Sequence, residues 1–211
     1  MTLSQAVLGF GAVALLLTVV PGIDTTLVLR STLVGGRRQA AAAALGITLG
    51  LFVWGAAAAV GAAALLAASE WAFRAVTWGG AAYIVYLGGR MLWRAARGDD
   101  AAVALAPAPG PRGVGRALAT GFTTNLLNPK IGVFYIATIP QFIPDGYSPL
   151  AVGLLLAAVH AALGLAWFAL IILGAGYARR WLASARGVRV VDAVAGTVLL
   201  VMGVRLALAH R

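Results

Sequence analysis

The sequence predicts an all-α integral membrane protein, with six transmembrane helices in two inverted three-helix repeats and helices 1 and 4 broken at Pro21 and Pro129. Three observations carry this. The 211-residue chain is 62% hydrophobic and 10% charged, against about 45–50% and about 25% in soluble domains. Its charge-poor runs reach the roughly 20 residues that cross a bilayer core. Its arginines crowd into every second connection. So little charge on so apolar a chain excludes disorder, and the absence of cysteine removes disulfides, thiolate metal ligands and cysteine nucleophiles. The runs are continuous rather than alternating, against a strand barrel. Met1 to Gln5 holds no basic residue and no small-x-small site follows, so a cleaved signal peptide is not expected.

The spans follow in order. Leu3 to Leu29 is apolar apart from Thr18 and the neighbourhood of Asp24, and Ala40 to Ala68 carries no charge. Trp71 to Trp93 is the third, with Arg74 and Arg90 placed to snorkel and Trp71, Trp78 and Trp93 suited to the interfacial belts. Ala117 to Ile143 is interrupted by Lys130. Ser148 to Ala178 is uncharged, and Val190 to Ala209 carries Asp192 and Arg205 near its ends, with Asp192 read as an interfacial partner of Arg189.

Twelve arginines fall in the connections between spans one and two, three and four, and five and six, leaving Arg74, Arg205 and Arg211 for the opposite face. The positive-inside bias then puts those three loops in the cytoplasm and both termini outside. Most of the net charge of +10 is therefore topology rather than a nucleic-acid surface. The expected setting is a bacterial cytoplasmic membrane, crossed several times.

Residues 98–115, with Asp99-Asp100 and Pro107-Ala108-Pro109-Gly110-Pro111, are too rich in proline and glycine to hold a helix. They read as a cytoplasmic linker between repeats 1–97 and 116–211 of one membrane domain. Pro21 is answered by Pro129, Gly50-Leu51 with Trp54 by Gly164-Leu165 with Trp167, and Gly88-Gly89-Arg90 by Gly203-Val204-Arg205. Three spans per copy force opposite orientations, and inverted repeats with paired broken helices point to a secondary transporter with its site where the breaks meet.

Pro21 and Pro129 cannot donate to the carbonyls of Leu17 and Asn125, and each is expected to open a new half-helix, with Asn128 as N-cap of the second. Such breaks persist in a membrane only against protein or a watery cavity. Asp24 lies in or near the first turn after its break, where a carboxylate suits the dipole. Lys130 lies at a helix N-terminus in mid-span, where a cation is disfavoured and an ionisable group marks function. One reading is a structural Asp24–Lys130 ion pair. The other binds a zwitterion, with Asp24 taking the ammonium and Lys130 and the half-helix N-termini the carboxylate. Thr18, Thr25, Thr26, Asn125 and Asn128 supply neutral hydrogen bonds nearby.

Several motifs carry a resemblance. Pro21-Gly22-Ile23-Asp24 resembles the proline-glycine-proline-aspartate motif of the lysine-exporter/homoserine–threonine-resistance (LysE/RhtB) family of amino-acid exporters. Gly36-Arg37-Arg38-Gln39-Ala40 is similar to that family's first cytoplasmic loop, and Gly80-Ala81-Ala82-Tyr83 through Tyr86-Leu87-Gly88 to its third span. Asn128-Pro129-Lys130, continuing through Phe134 to Pro140-Gln141-Phe142, resembles its fourth-span signature. The resemblance implies a secondary transporter driven by the proton motive force, exporting amino acids or close derivatives by proton antiport. It points to Asp24, Asn128 and Lys130. Two departures stand out: Ile23 replaces the motif's second proline, which softens the break, and Trp54 stands where many members carry histidine.

Other features have two readings each. Gly46 and Gly50 permit close helix contact, within the monomer or at a homodimer face. His160 is the one intramembrane histidine, a packing hydrogen bond or, with Asp24, a proton-coupling group. Tyr83, Tyr86 and Tyr135 suit packing. No phosphate loop, hydrolase motif or clustered metal ligands are present, so neither an enzyme, a cofactor nor a metal is expected. The alternatives to amino-acid export are a non-catalytic substrate-binding membrane subunit of a vitamin importer, which needs an energising partner, and a small-ion exporter of the same superfamily.

Overall fold

Thr2 starts the first helix with a capping box: its hydroxyl accepts from the Gln5 N–H, and the Gln5 side chain accepts from the Thr2 N–H. Helix α1 then runs Leu3–Val19 until the missing N–H of Pro21 stops it. The computed structural model describes residues 1–97, 113–174 and scattered helical residues between 189 and 204. The elements after α1 are α2 (Ile23–Ala68), α3 (Glu70–Arg97), α4 (Val114–Leu126), α5 (Pro129–Thr138), a 3-10 turn (Ile139–Phe142) and α6 (Pro149–Leu173). Most of the linker, Asp192, Gly203, Arg205 and most of the last expected span lie outside the described residues.

Among the described residues, two helices are long and apolar enough to cross a membrane, Ile23–Leu65 and Pro149–Leu173. The first, at 43 residues, would rise about 64 Å if straight. It is not straight. Gly36 sits at φ 77°, a backbone that glycine adopts without steric cost, and the chain doubles back there. Val28 and Leu29 consequently share one core with Ala40, Ala44 and Ile47. The connection expected between spans one and two, with Arg37 and Arg38, is thus a one-residue break inside a helical stretch. The fourth expected span is split into α4 and α5, each too short to cross alone.

The arm of α2 beyond Gly36 packs on α4 and α6, α1 packs on α6, and α3 packs on α5. A side chain on Gly46 would collide with the Leu118 carbonyl of α4, and one on Gly121 with the Ala43 carbonyl of α2. These two helices lie backbone to backbone, as small residues allow. Gly50 faces Asn125, so both members of the Gly46/Gly50 pair are used inside the monomer. Helix α6 carries no charge, and Leu154, Leu155, Leu170 and Leu173 are exposed opposite a buried face of Leu156, Phe168 and Ile171. A helix apolar on every side suits hydrocarbon surroundings.

Candidate functional site

The two proline breaks meet. On α1 the helix ends at Val19, Val20 is extended, and α2 opens at Ile23 with Gly22 as N-cap. Pro21 is therefore not the first residue of the new helix, as expected, but precedes its cap. Gly22 takes an extended backbone (φ −142°, ψ −171°), which delays the helix and widens the break to Val20–Gly22. On the other side the expectation holds: Pro129 is the first residue of α5, and the Asn128 side chain accepts from the Lys130 N–H at 3.1 Å.

The carbonyls released by the prolines are satisfied, and by residues far away in sequence. Leu17, freed by Pro21, accepts from Lys130 Nζ at 3.0 Å, and Val20 accepts from the same ammonium at 3.2 Å. Lys130 belongs to an N-terminus in sequence, where a cation is disfavoured, but its side chain reaches the C-terminal end of α1, where a cation is favoured. Asn125, freed by Pro129, accepts from Trp54 Nε1 at 3.3 Å. The Trp54 ring lies against Gly132, where any side chain would displace it.

Asp24 completes the exchange. Its Oδ2 accepts from Asn125 Nδ2 at 2.9 Å and Asn128 Nδ2 at 3.2 Å. So the residue after the first break is held by amides flanking the second, and the residue after the second break caps the first. Asp24 Oδ1 and Asn125 Oδ1 are buried without a hydrogen-bond partner. An unsatisfied buried carboxylate oxygen is costly and calls for a ligand or water.

A cavity of about 40 Å³ opens beside these groups, lined by Leu17, Thr18, Gly22, Asp24, Thr25, Ile47, Asn128, Lys130, His160 and Phe168 among others. It has room for a few waters, each needing ~10–15 Å³. Of the threonines, Thr25 is buried at the cavity, while Thr18 and Thr26 donate to the carbonyls of Ala14 and Gly22 in their own helices. His160 lines the cavity and shares a 3.0 Å hydrogen bond between its Nδ1 and Tyr135 Oη, with the rings stacked at 5.7 Å. Among the described residues no group of three or more His, Cys, Asp or Glu is placed to hold a metal.

Sequence reasoning brought Asp24, Asn125, Asn128, Lys130 and Thr25 to one place, and the structure joins them. It missed Trp54 as the cap of Asn125 and Gly50 as the room for the Asn125 side chain. The spacing of Gly46, Gly50 and Trp54 by four residues along one face of the second expected span was the available signal.

Comparison with known proteins gives a consistent picture. The profile of the LysE type translocator family matches residues 15–210. The chain is 27% identical over 95% of its length to the uncharacterized membrane protein YrhP of Bacillus subtilis, covering 98% of that protein. It is 30% identical to the homoserine/homoserine lactone efflux protein of Salmonella typhi, covering 92% of each. With the threonine efflux protein of Escherichia coli K12 it shares 31% identity, over 59% of this chain and 60% of the relative. No solved structure matches.

Proposed function

The chain belongs to the LysE type translocator family, and we propose that it is a secondary transporter exporting amino acids or close derivatives across the membrane in which it is embedded. The observation that carries this is the partnerless Oδ1 of Asp24, buried beside a small cavity where two broken helices meet. The names of relatives that export homoserine and threonine support the substrate class.

The chemistry of a zwitterion fits the donors and acceptors present. Asp24 Oδ1 takes the ammonium. The substrate carboxylate goes to the first turn of α2, which no side chain caps and whose N–H groups and dipole attract anions. Lys130 contributes positive potential from beside Gly22 rather than a dedicated contact. The α5 N-terminus, assigned the same task from sequence, is already occupied by Asn128. Ile47 and Phe168 leave an apolar side for a neutral side chain.

A cavity sized for a few waters is smaller than an amino acid, so binding requires the halves to move apart. Two breaks, one from each half, held together by crossed hydrogen bonds support an inverted repeat and alternating access. In this reading the six-span layout, with arginine-rich loops in the cytoplasm and both termini outside, carries substrate outward against protons. Protonation of Asp24 from outside releases the ammonium, and His160, bonded to Tyr135, is the second candidate for a proton.

Vesicles preloaded with labelled amino acids test this. The protein should accelerate export of at least one neutral amino acid, more so with an imposed inward proton gradient, and Asp24→Asn should abolish the effect. Normal export by Asp24→Asn would remove Asp24 from the site. Export indifferent to the gradient would remove proton antiport.

A further inference from the structure

In transporters with broken membrane helices, the carbonyls exposed by the break and the C-terminal end of the half-helix are where a coupling cation binds. Here those oxygens are Leu17 O and Val20 O, at the C-terminal end of α1, and both accept from Lys130 Nζ. Asp24, Thr18 and Thr25 line the same small cavity as Lys130. The set is two main-chain carbonyls, one carboxylate and hydroxyls, all hard oxygen donors. Without the lysine, it is the donor chemistry of an alkali-cation site.

We infer that the Lys130 ammonium is a tethered cation occupying an alkali-cation site, and that a neutral residue at position 130 opens this site to Na⁺. Three features support it beyond the two hydrogen bonds. The ammonium arrives on a side chain 113 residues away in sequence, so the carbonyls at the break were not satisfied locally. The ammonium sits directly at the break, since a Cβ on Gly22 would be in ordinary contact with Nζ, at 3.7 Å. The carbonyls sit at a helix C-terminus, where the dipole favours positive charge whether it comes from an ammonium or a bare ion. A tethered charge keeps the first break closed without any dissolved ion, so folding of the natural chain does not depend on sodium.

The test needs no transport and so stands apart from the export reading. Thermal melting of the purified full-length protein is followed in NaCl and in choline chloride at equal ionic strength, choline being too large for the site. The natural protein should melt alike in both. Lys130→Ala should melt lower in choline and regain about 2–4 °C in NaCl, and adding Asp24→Asn to it should cancel the gain. Lys130→Gln serves if the alanine variant does not fold, because its amide still donates to Leu17 and Val20 while carrying no charge. It too should gain in NaCl over choline, by less. Equal melting of both variants in the two salts, or failure to recover either from NaCl, overturns the assignment. So does a sodium-specific gain in the natural protein.

Discussion

The two breaks are built differently. The one at Asn128 is closed mostly from within its own segment, with one bond lent by Trp54 of the first half. The Asn128 side chain caps α5, its carbonyl accepts from the Ile131 and Gly132 N–H groups, and Asn125 is taken by Trp54 and by the Asn128 N–H. The one at Val20–Gly22 has no side chain of its own to close it. Gly22 offers no oxygen as a cap, and Leu17 and Val20 wait for an ammonium from the other half. A self-capped break is a scaffold, whereas a break that borrows its partners is free to exchange them. The carboxylate with an unsatisfied oxygen, Asp24, lies on the borrowed side.

The comparison can be broken in order of expected effect. Asp24→Asn should reduce export by roughly thirtyfold or more, because losing one partner of a buried charged hydrogen-bond set costs about 2–5 kcal/mol. Vesicle efflux reads it, and a mild effect would mean that the open break is not the binding end. Gly121→Ala should lower stability by about 1–3 kcal/mol, since its methyl group meets main chain that cannot rotate away; melting in detergent reports this. The second break is sharpened by a pair of variants. Asn128→Ala should cost about 1 kcal/mol through the lost cap. Asn128→Ser restores the cap but not the amide that donates to Asp24, so melting should recover while export stays low. Recovery of both would reduce Asn128 to a cap alone. Smallest is Trp54→Phe, which gives up one hydrogen bond to Asn125 and should cost about 0.5–1.5 kcal/mol with export largely kept. If it stops export instead, the second break is not the passive one.

Much of this site was legible beforehand, and the legible parts share a cause. That Pro21 and Pro129 interrupt helices, that Asn128 caps α5 and that Asp24 sits in a first turn all follow from interactions spanning four residues or fewer. The misplacement of Pro21 is of the same kind: Gly22 is extended and becomes the cap, so the helix opens two residues later than the proline's preference for a first helical position implies. The destination of the Lys130 side chain was not legible, for a different reason. Judged on its own helix it is at the unfavourable end, and only packing shows that its side chain reaches a different helix, at the favourable end.

By itself, the sequence determined an apolar all-helical chain, the positions of its breaks and the kinds of polar group beside them, because charge-free length, missing N–H groups and caps are local properties. The tertiary structure alone decided who satisfies whom. Asp24 and Asn125 are 101 residues apart, and Gly46 and Gly121 let their helices approach closely enough for such pairs to form. In a low-dielectric interior each carbonyl freed by a break must find a partner, and which partner it finds depends on the packing of distant segments rather than on its neighbours in the chain.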